Sequence, residues 1–168
     1  MASDDLLAPL DSRRVTDADH RLLVESIADY AIFLLDPGDV IMSWNRGAQK
    51  MKGYEASAVV GRHIAVFYPQ DLLDRHWPDH ALKMARETGI FKDEGWRLRK
   101  DGTRFWAHIV ITRITGPHGE LIGFSKITRD LTERRRITAL EDEGRRITNF
   151  LALLGHELRN PWRPSPTP

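Results

Sequence analysis

The chain has 168 residues, with 25 Lys and Arg against 24 Asp and Glu, and no cysteine. Near-balanced charge excludes a strong field for nucleic acid or an anionic membrane, and the missing cysteine excludes disulfides, thiolate metal sites and cysteine photochemistry within these residues. No apolar run is long enough to span a bilayer, and the acidic opening MASDDLLAPLDSRR lacks the apolar core of a signal peptide, so the expected address is the cytoplasm.

Residues 1–19 read as a flexible leader. Asp17 is a candidate N-cap, with Leu22, Leu23, Ser26 and Ile27 recurring at helical spacing behind it. The period then changes. AIFLLD, the turn PGD and VIMSWN read as a hairpin over residues 31–44. Short helical pieces follow in RGAQKMKGY and EASAVVG, and Pro69 interrupts the chain. Pro78 suits the first turn of a longer helix that runs through ALKMARET and stops at Gly89. GIFKDEGWRLRK and TRFWAHIVITRI alternate about Asp101-Gly102, a favoured hairpin turn, and GPHGE leads into a further strand, LIGFSKITRD.

Within the second of these strands, Phe105, Ala107, Ile109 and Ile111 share one parity and are expected to face a pocket. Trp106 and Val110 share the other and offer an apolar outer face to the N-terminal helix or a second subunit. From Leu131 the pattern is helical. Ile137, Gly144, Leu151 and Leu158 are seven apart, and Leu140, Ile147 and Leu154 follow each of the first three by three residues. This is an a/d seam over about three heptads, weakened by Gly144, and it predicts a homodimer through residues 131–158. The basic runs Arg134–Arg136 and Arg145-Arg146 are interleaved with acids and read as a solvated helix face rather than nucleic-acid contacts.

Two strands, short helices, a long helix, three strands and an exit helix resemble a PAS domain. The residues that carry the resemblance are YAIFLLDPGDVIMSWNRGAQKMKGYEASAVVGR, DEGWRLRKDGTRFWAHIVITRI and GELIGFSKITRDLTERR, the last with Asp130-Leu131-Thr132 at its exit. The resemblance covers about residues 20–136. It implies an α+β fold, a five-stranded antiparallel sheet with flanking helices, here followed by a coiled-coil-like helix. The expected division is a leader at 1–19, a sensor domain at 20–130, a signalling helix at 131–161 and an extended proline-rich tail at 162–168.

FLALLGHELRNP resembles the phosphoacceptor segment of sensor histidine kinases. That resemblance makes His156 the phosphorylated histidine and Glu157 its acidic neighbour. The heptads place His156 at f, facing outward, where a γ-phosphate carried by another domain can reach it. A carboxylate bonded to one ring nitrogen fixes the tautomer of an imidazole that attacks through the other. The chain has no glycine-rich phosphate loop and no Mg-binding acidic cluster, and Trp162 replaces a smaller aliphatic residue of that family. It is therefore expected neither to bind ATP nor to phosphorylate itself, but to be a fragment or truncated relative whose partners are a kinase catalytic domain and a response regulator.

PAS domains hold haem, flavin, small metabolites or no known ligand. Flavin relatives carry a reactive cysteine, an inward asparagine and a last-strand glutamine; Ile64, Ala107 and Thr128 stand at those positions, and flavin is set aside. For haem, His76 and His80 are the candidate ligands, with Met84 one turn beyond His80; His63 and His108 read as ordinary surface groups. No metal site is expected. The sequence thus reads as a sensory module that passes a change through Asp130 and Thr132 into a dimeric helix bearing His156, with a haem-based gas or redox sensor and a non-catalytic dimerising protein as alternatives.

Overall fold

The computed structural model describes residues 16–158; most of the predicted leader and the whole proline-rich tail lie outside the described residues. The chain divides into two units, one ending at Asp130 and one beginning at Leu131. Helix α1, Asp17–Ser26, opens the first. Its cap is Thr16 rather than the expected Asp17: the Thr16 hydroxyl accepts from the Asp19 amide, and the Asp19 carboxylate accepts from the Thr16 amide at 2.8 Å. Two amide groups at the helix start are satisfied reciprocally, which Asp17 could not do from inside the first turn.

Strand β1, Ala31–Leu35, leads to α2, Arg46–Lys52, then α3, Ala56–Val59, a single 3₁₀ turn at Ile64–Phe67, α4, Gln70–Asp74, and α5, Trp77–Thr88. α5 starts beside Pro78 and ends at Gly89, whose φ of 90° is the left-handed conformation a side chain would resist. Strands β2, Ile90–Leu98, β3, Arg104–Thr115, and β4, Leu121–Asp130, complete an antiparallel sheet in the order β1-β4-β3-β2.

The sheet has four strands and not the expected five. Residues 40 and 41 form only isolated bridges, Leu35 with Ile41 and Val40 with His63. The reason lies on the free edge of β1. The Leu34 amide bonds to the Ser43 hydroxyl at 3.0 Å, and the Ile32 amide to Asn45 Oδ1 at 2.9 Å. Side chains occupy places that a fifth strand's carbonyls would need, so the ladder stops after one bridge.

The core fills the space between the sheet's inner face and the helices. Ala31, Phe33 and Leu35 of β1, Phe105, Ala107, Ile109 and Ile111 of β3 and Phe124 of β4 meet Trp44, Ala48, Val59, Ile64, Phe67, Ala81, Leu82 and Ala85. Burying each large apolar side chain contributes about 1.5–3 kcal/mol. Phe33, Trp44 and Phe67 cluster, with the Trp44 and Phe67 rings stacked at 5.5 Å.

The second unit is α6, Thr132–Leu158, a helix of 27 residues. Its a/d residues Ile137, Leu140, Ile147, Leu151 and Leu154 are all exposed in the single chain.

Candidate functional site

Strand pairing lays small residues side by side on the inner face of the sheet. Gly95 pairs with Ala107, which pairs with Asp130; Thr128 lies between Ala31 and Ile109. Across this low floor run three cations with almost no exposure: Lys52 at 1%, Arg97 at 2% and Lys126 at 1%. Lys52 is the last residue of α2, capped by Gly53 in the left-handed region, and that helix end carries its side chain inward. Arg97 and Lys126 come from the inward parity of β2 and β4.

Buried charge is costly unless paired. Arg97 Nη2 reaches Asp93 Oδ2 at 3.1 Å, and the Trp77 indole donates to the same oxygen at 3.0 Å. Lys126 donates to the Tyr68 hydroxyl at 3.1 Å. The Tyr68 ring centroid is 4.3 Å from the Arg97 guanidinium carbon and 4.9 Å from Lys126 Nζ. Lys52 Nζ sits over Phe67 at 4.3 Å and Phe105 at 5.1 Å. Burial, then the neighbouring Lys126 and Arg97 charges, hold Lys52 well below the ordinary lysine range. Burial and Arg97 do the same to Lys126, and burial raises the Tyr68 phenol. The Thr128 hydroxyl and Arg97 Nε are buried with no hydrogen-bond partner.

A second set of contacts ties this floor to the end of the sheet. Arg99 pairs with Asp130 at 2.5 Å and donates to the Met51 carbonyl, one residue before Lys52. The Lys100 amide donates to the Lys52 carbonyl at 2.8 Å. These contacts clamp together the end of α2, the β2–β3 loop and the last residue of β4. A cleft of about 400 Å³ opens beside it, lined by Ala28, Asp29, Lys50, Met51, Arg99 and Arg129 together with Asp130.

Phe105, Ala107, Ile109 and Ile111 lie fully inside the core. Asp130 is held by Arg99, and Thr132 is the first residue of α6. His156 is exposed on α6, and Glu157 belongs to the same helix. The haem candidates are elsewhere. His76 is exposed at a left-handed backbone position and lies 3.4 Å from Asp79. His80 is also exposed, its ring 5.1 Å from that of Trp77. The His80 ring also lies 6.1 Å from the ring of Phe91, which packs against the core. Met84 is half-buried. Among the described residues no group of three or more His, Cys, Asp or Glu is arranged to hold a metal ion, and no helix is long and apolar enough to cross a membrane.

Sequence reasoning overlooked Lys52, Arg97, Arg99 and Lys126. A signal was available for two of them: strict alternation puts Arg97 on the parity of Gly95 and Lys126 on that of Phe124 and Thr128. Lys52 and Arg99 gave none, because a helix end and a loop have no periodicity to read.

A family model described as "PAS domain" matches residues 29–133. The chain is 44% identical over 147 residues to Two-component system protein A of Emericella nidulans, covering 84% of this chain and 21% of that protein. It is 29% identical over 87 residues to Oxygen sensor protein DosP of Escherichia coli, covering 49% of this chain and 11% of the other. The chain thus spans about a fifth or less of these relatives. Among solved structures, the PAS domain of a Colwellia psychrerythraea protein aligns at a TM-score of 0.63 and 22% identity, over 69% of this chain and 98% of that one. An RNA-binding light-oxygen-voltage receptor aligns at 0.60 and 22% identity, over 92% of this chain and 42% of that one. At such identities the structural likeness concerns the fold alone.

Proposed function

We propose a function that proceeds from one premise: the chain belongs to the PAS domain family. It is the sensory module of a two-component signalling system, and it passes a change in the PAS core to a phosphoacceptor histidine on α6. The observation that carries this reading is continuity. The clamped end of β4 at Asp130 is followed, after Leu131, by one unbroken helix that bears His156. The 44% identity to a two-component protein supports it.

The mechanism uses the contacts in order. A ligand or partner that shifts the inner face moves Lys52 and the end of α2. Arg99 transmits that shift to Asp130 through its two contacts. Asp130 and Thr132, at the junction, convert it into a change of pitch or register in α6. The exposed a/d residues of α6 pair with a second copy, so the change alters how both copies present His156. An isolated helix of this composition gains little stability from propensity alone, so pairing is what makes the rod stiff enough to transmit. At His156, one ring nitrogen attacks the γ-phosphorus of ATP bound to a separate catalytic domain. The ADP oxygen leaves, and Glu157 favours the imidazolium that forms. The phosphoryl group then passes to a response regulator.

The test is phosphotransfer in trans. The chain is incubated with the catalytic portion of a histidine kinase and γ-labelled ATP. Label on the chain that survives base, disappears in acid and is lost in the His156→Gln variant is the expected result. Absence of label with several active kinases, alongside a monomer by light scattering, would reject both steps.

A further inference from the structure

We infer that α6 is a substrate for an arginine-directed serine/threonine kinase, with Thr138 and Thr148 as the acceptors, and that phosphate on Thr148 opposes pairing of the helix with a second copy.

The residue pattern is the first argument. Arg135-Arg136-Ile137-Thr138 recurs farther along the helix as Arg145-Arg146-Ile147-Thr148. The heptads account for only part of it. Ile137 falls at a and Ile147 at d, so the seam asks for both isoleucines. It asks for nothing at the other positions: Thr138 falls at b and Thr148 at e, and the arginines fall at f, g, b and c. A single register does not generate the same four residues at two different phases. Among the described residues of α6 the hydroxyl carriers are these two and Thr132, the first residue of the helix. Exposed helix positions favour alanine, glutamate or lysine over β-branched threonine. Two arginines shortly before a hydroxyl are a charge pattern by which a kinase selects substrates. Each guanidinium can engage a carboxylate of the kinase through paired N–H donors.

Accessibility is the second argument. Every residue from Thr132 to Leu154 is exposed in the single chain. The Thr138 hydroxyl donates to the Arg134 carbonyl at 3.1 Å, and the Thr148 hydroxyl to the Gly144 carbonyl at 2.9 Å. Such back-bonding bends a helix and slightly weakens it, and glycine at 144 weakens it further. A kinase cleft takes its substrate extended, so the helix must open locally. With nothing in this stretch buried, opening costs little before the helix is paired. In the transfer, threonine Oγ1 attacks the γ-phosphorus of ATP held by the kinase. The bond from that phosphorus to the ADP oxygen breaks, and the hydroxyl proton passes to a carboxylate of the kinase.

Heptad position decides the consequence. In a parallel pair, g residues of one helix face e residues of the other. Glu143 is at g, so Thr148 faces Glu143 of the partner subunit. A phosphate adds about −1.5 to −2 charge at neutral pH. On Thr148 it would oppose that glutamate on both sides of the two-fold axis. Arg145, one turn back, already lies 3.7 Å from Asp142. On Thr138, at b, a phosphate points away from the seam. The kinase therefore reaches the unpaired helix, and the phosphate left on Thr148 keeps it unpaired.

The effect on pairing rests on the dimeric helix proposed above; the modification itself does not. In the test, the full chain is incubated with γ-labelled ATP and the catalytic subunit of cyclic-AMP-dependent protein kinase, which takes Arg-Arg-x-Ser/Thr substrates. Acid-stable label is expected, which separates it from acid-labile phosphate on His156. Mass spectrometry should place it on Thr138 and Thr148. The Thr138→Ala, Thr148→Ala double variant should lose at least tenfold in incorporation, and Arg145→Ala with Arg146→Ala should lose as much at Thr148. Sedimentation of the Thr138→Ala chain before and after phosphorylation reads pairing: the dimer Kd should rise at least tenfold, and Glu143→Lys should reduce that rise. Absence of acid-stable label, label on other residues, or unchanged incorporation in the double variant would overturn the acceptor assignment. An unchanged Kd would overturn the control of pairing. A monomeric unmodified chain would refute the seam and that control together, while the label still decides the acceptors.

Discussion

Asn45 offers the sharpest test of how the PAS unit is held together. Its side chain is 2% exposed and joins three elements. Oδ1 accepts from the Ile32 amide of β1 at 2.9 Å and the Ala48 amide of α2 at 2.8 Å. Nδ2 lies 3.2 Å from the Val24 carbonyl of α1, and 3.1 Å from those of Ile27 and Tyr30. Asn45→Ala strands two amides and removes the donor for three carbonyls. At about 1–3 kcal/mol for each buried group left unsatisfied, with the cap included, the expected loss is about 3–5 kcal/mol. Domains of this kind have about 5–15 kcal/mol in total, so the variant sits near its unfolding threshold. Asn45→Asp separates the roles. Aspartate caps helices as well as asparagine does, but here its carboxylate would face three carbonyl oxygens. Its pKa in the fold would be raised above the unfolded value, so the folded state binds the extra proton and the defect shrinks as pH falls through the folded pKa. Urea unfolding of the wild type, Asn45→Ala and Asn45→Asp at several pH values measures all three. An Asn45→Asp protein as stable as the wild type at neutral pH would refute the hub and leave only a helix cap.

Gly47→Ala should be worse than a usual helix substitution, because the new Cβ would fall 2.0 Å from the Tyr30 carbonyl oxygen; loss of the folded far-ultraviolet circular dichroism signal or a strongly lowered Tm is the readout. Lys52 and Lys126 have folded pKa values below the ordinary 10.5, so over the window between the two values the unfolded chain binds more protons and stability rises with pH. The urea midpoint of Lys126→Met relative to the wild type should therefore fall as pH rises towards 10.5, and a flat difference would contradict a lowered lysine pKa in the core. Asp130→Ala and Arg99→Met, each placed in a complete kinase chimera, should uncouple stimulus from phosphorylation while the sensor still folds; a normal response from both would remove the clamp from the mechanism.

The readable parts of this fold are those whose determinants lie close in sequence. α5 is bracketed by Pro78 and Gly89, and β2, β3 and β4 are marked by alternation about Asp101-Gly102 and the turn at Gly116–Glu120. The inward parity of Phe105, Ala107, Ile109 and Ile111 follows from the pleat alone. The expected fifth strand fails because Ser43 and Asn45, more than ten residues beyond their targets' start at Ala31, take the amides of β1 with side chains. His76 and His80 suggested a ligand position by their distance from Pro69, but spacing does not say which face of the chain meets the core.

The chain of residues alone specifies α5, strands β2 to β4, the exit at Asp130 and the long helix bearing His156, since each depends on local periodicity, caps and turns. Packing of the fold is what brings Lys52, Arg97 and Lys126 close together in the interior and lets Arg99 link the end of α2 to Asp130. Those residues come from a helix end, two strands and a loop, and what brings them together is sheet pairing and packing, which no local pattern encodes.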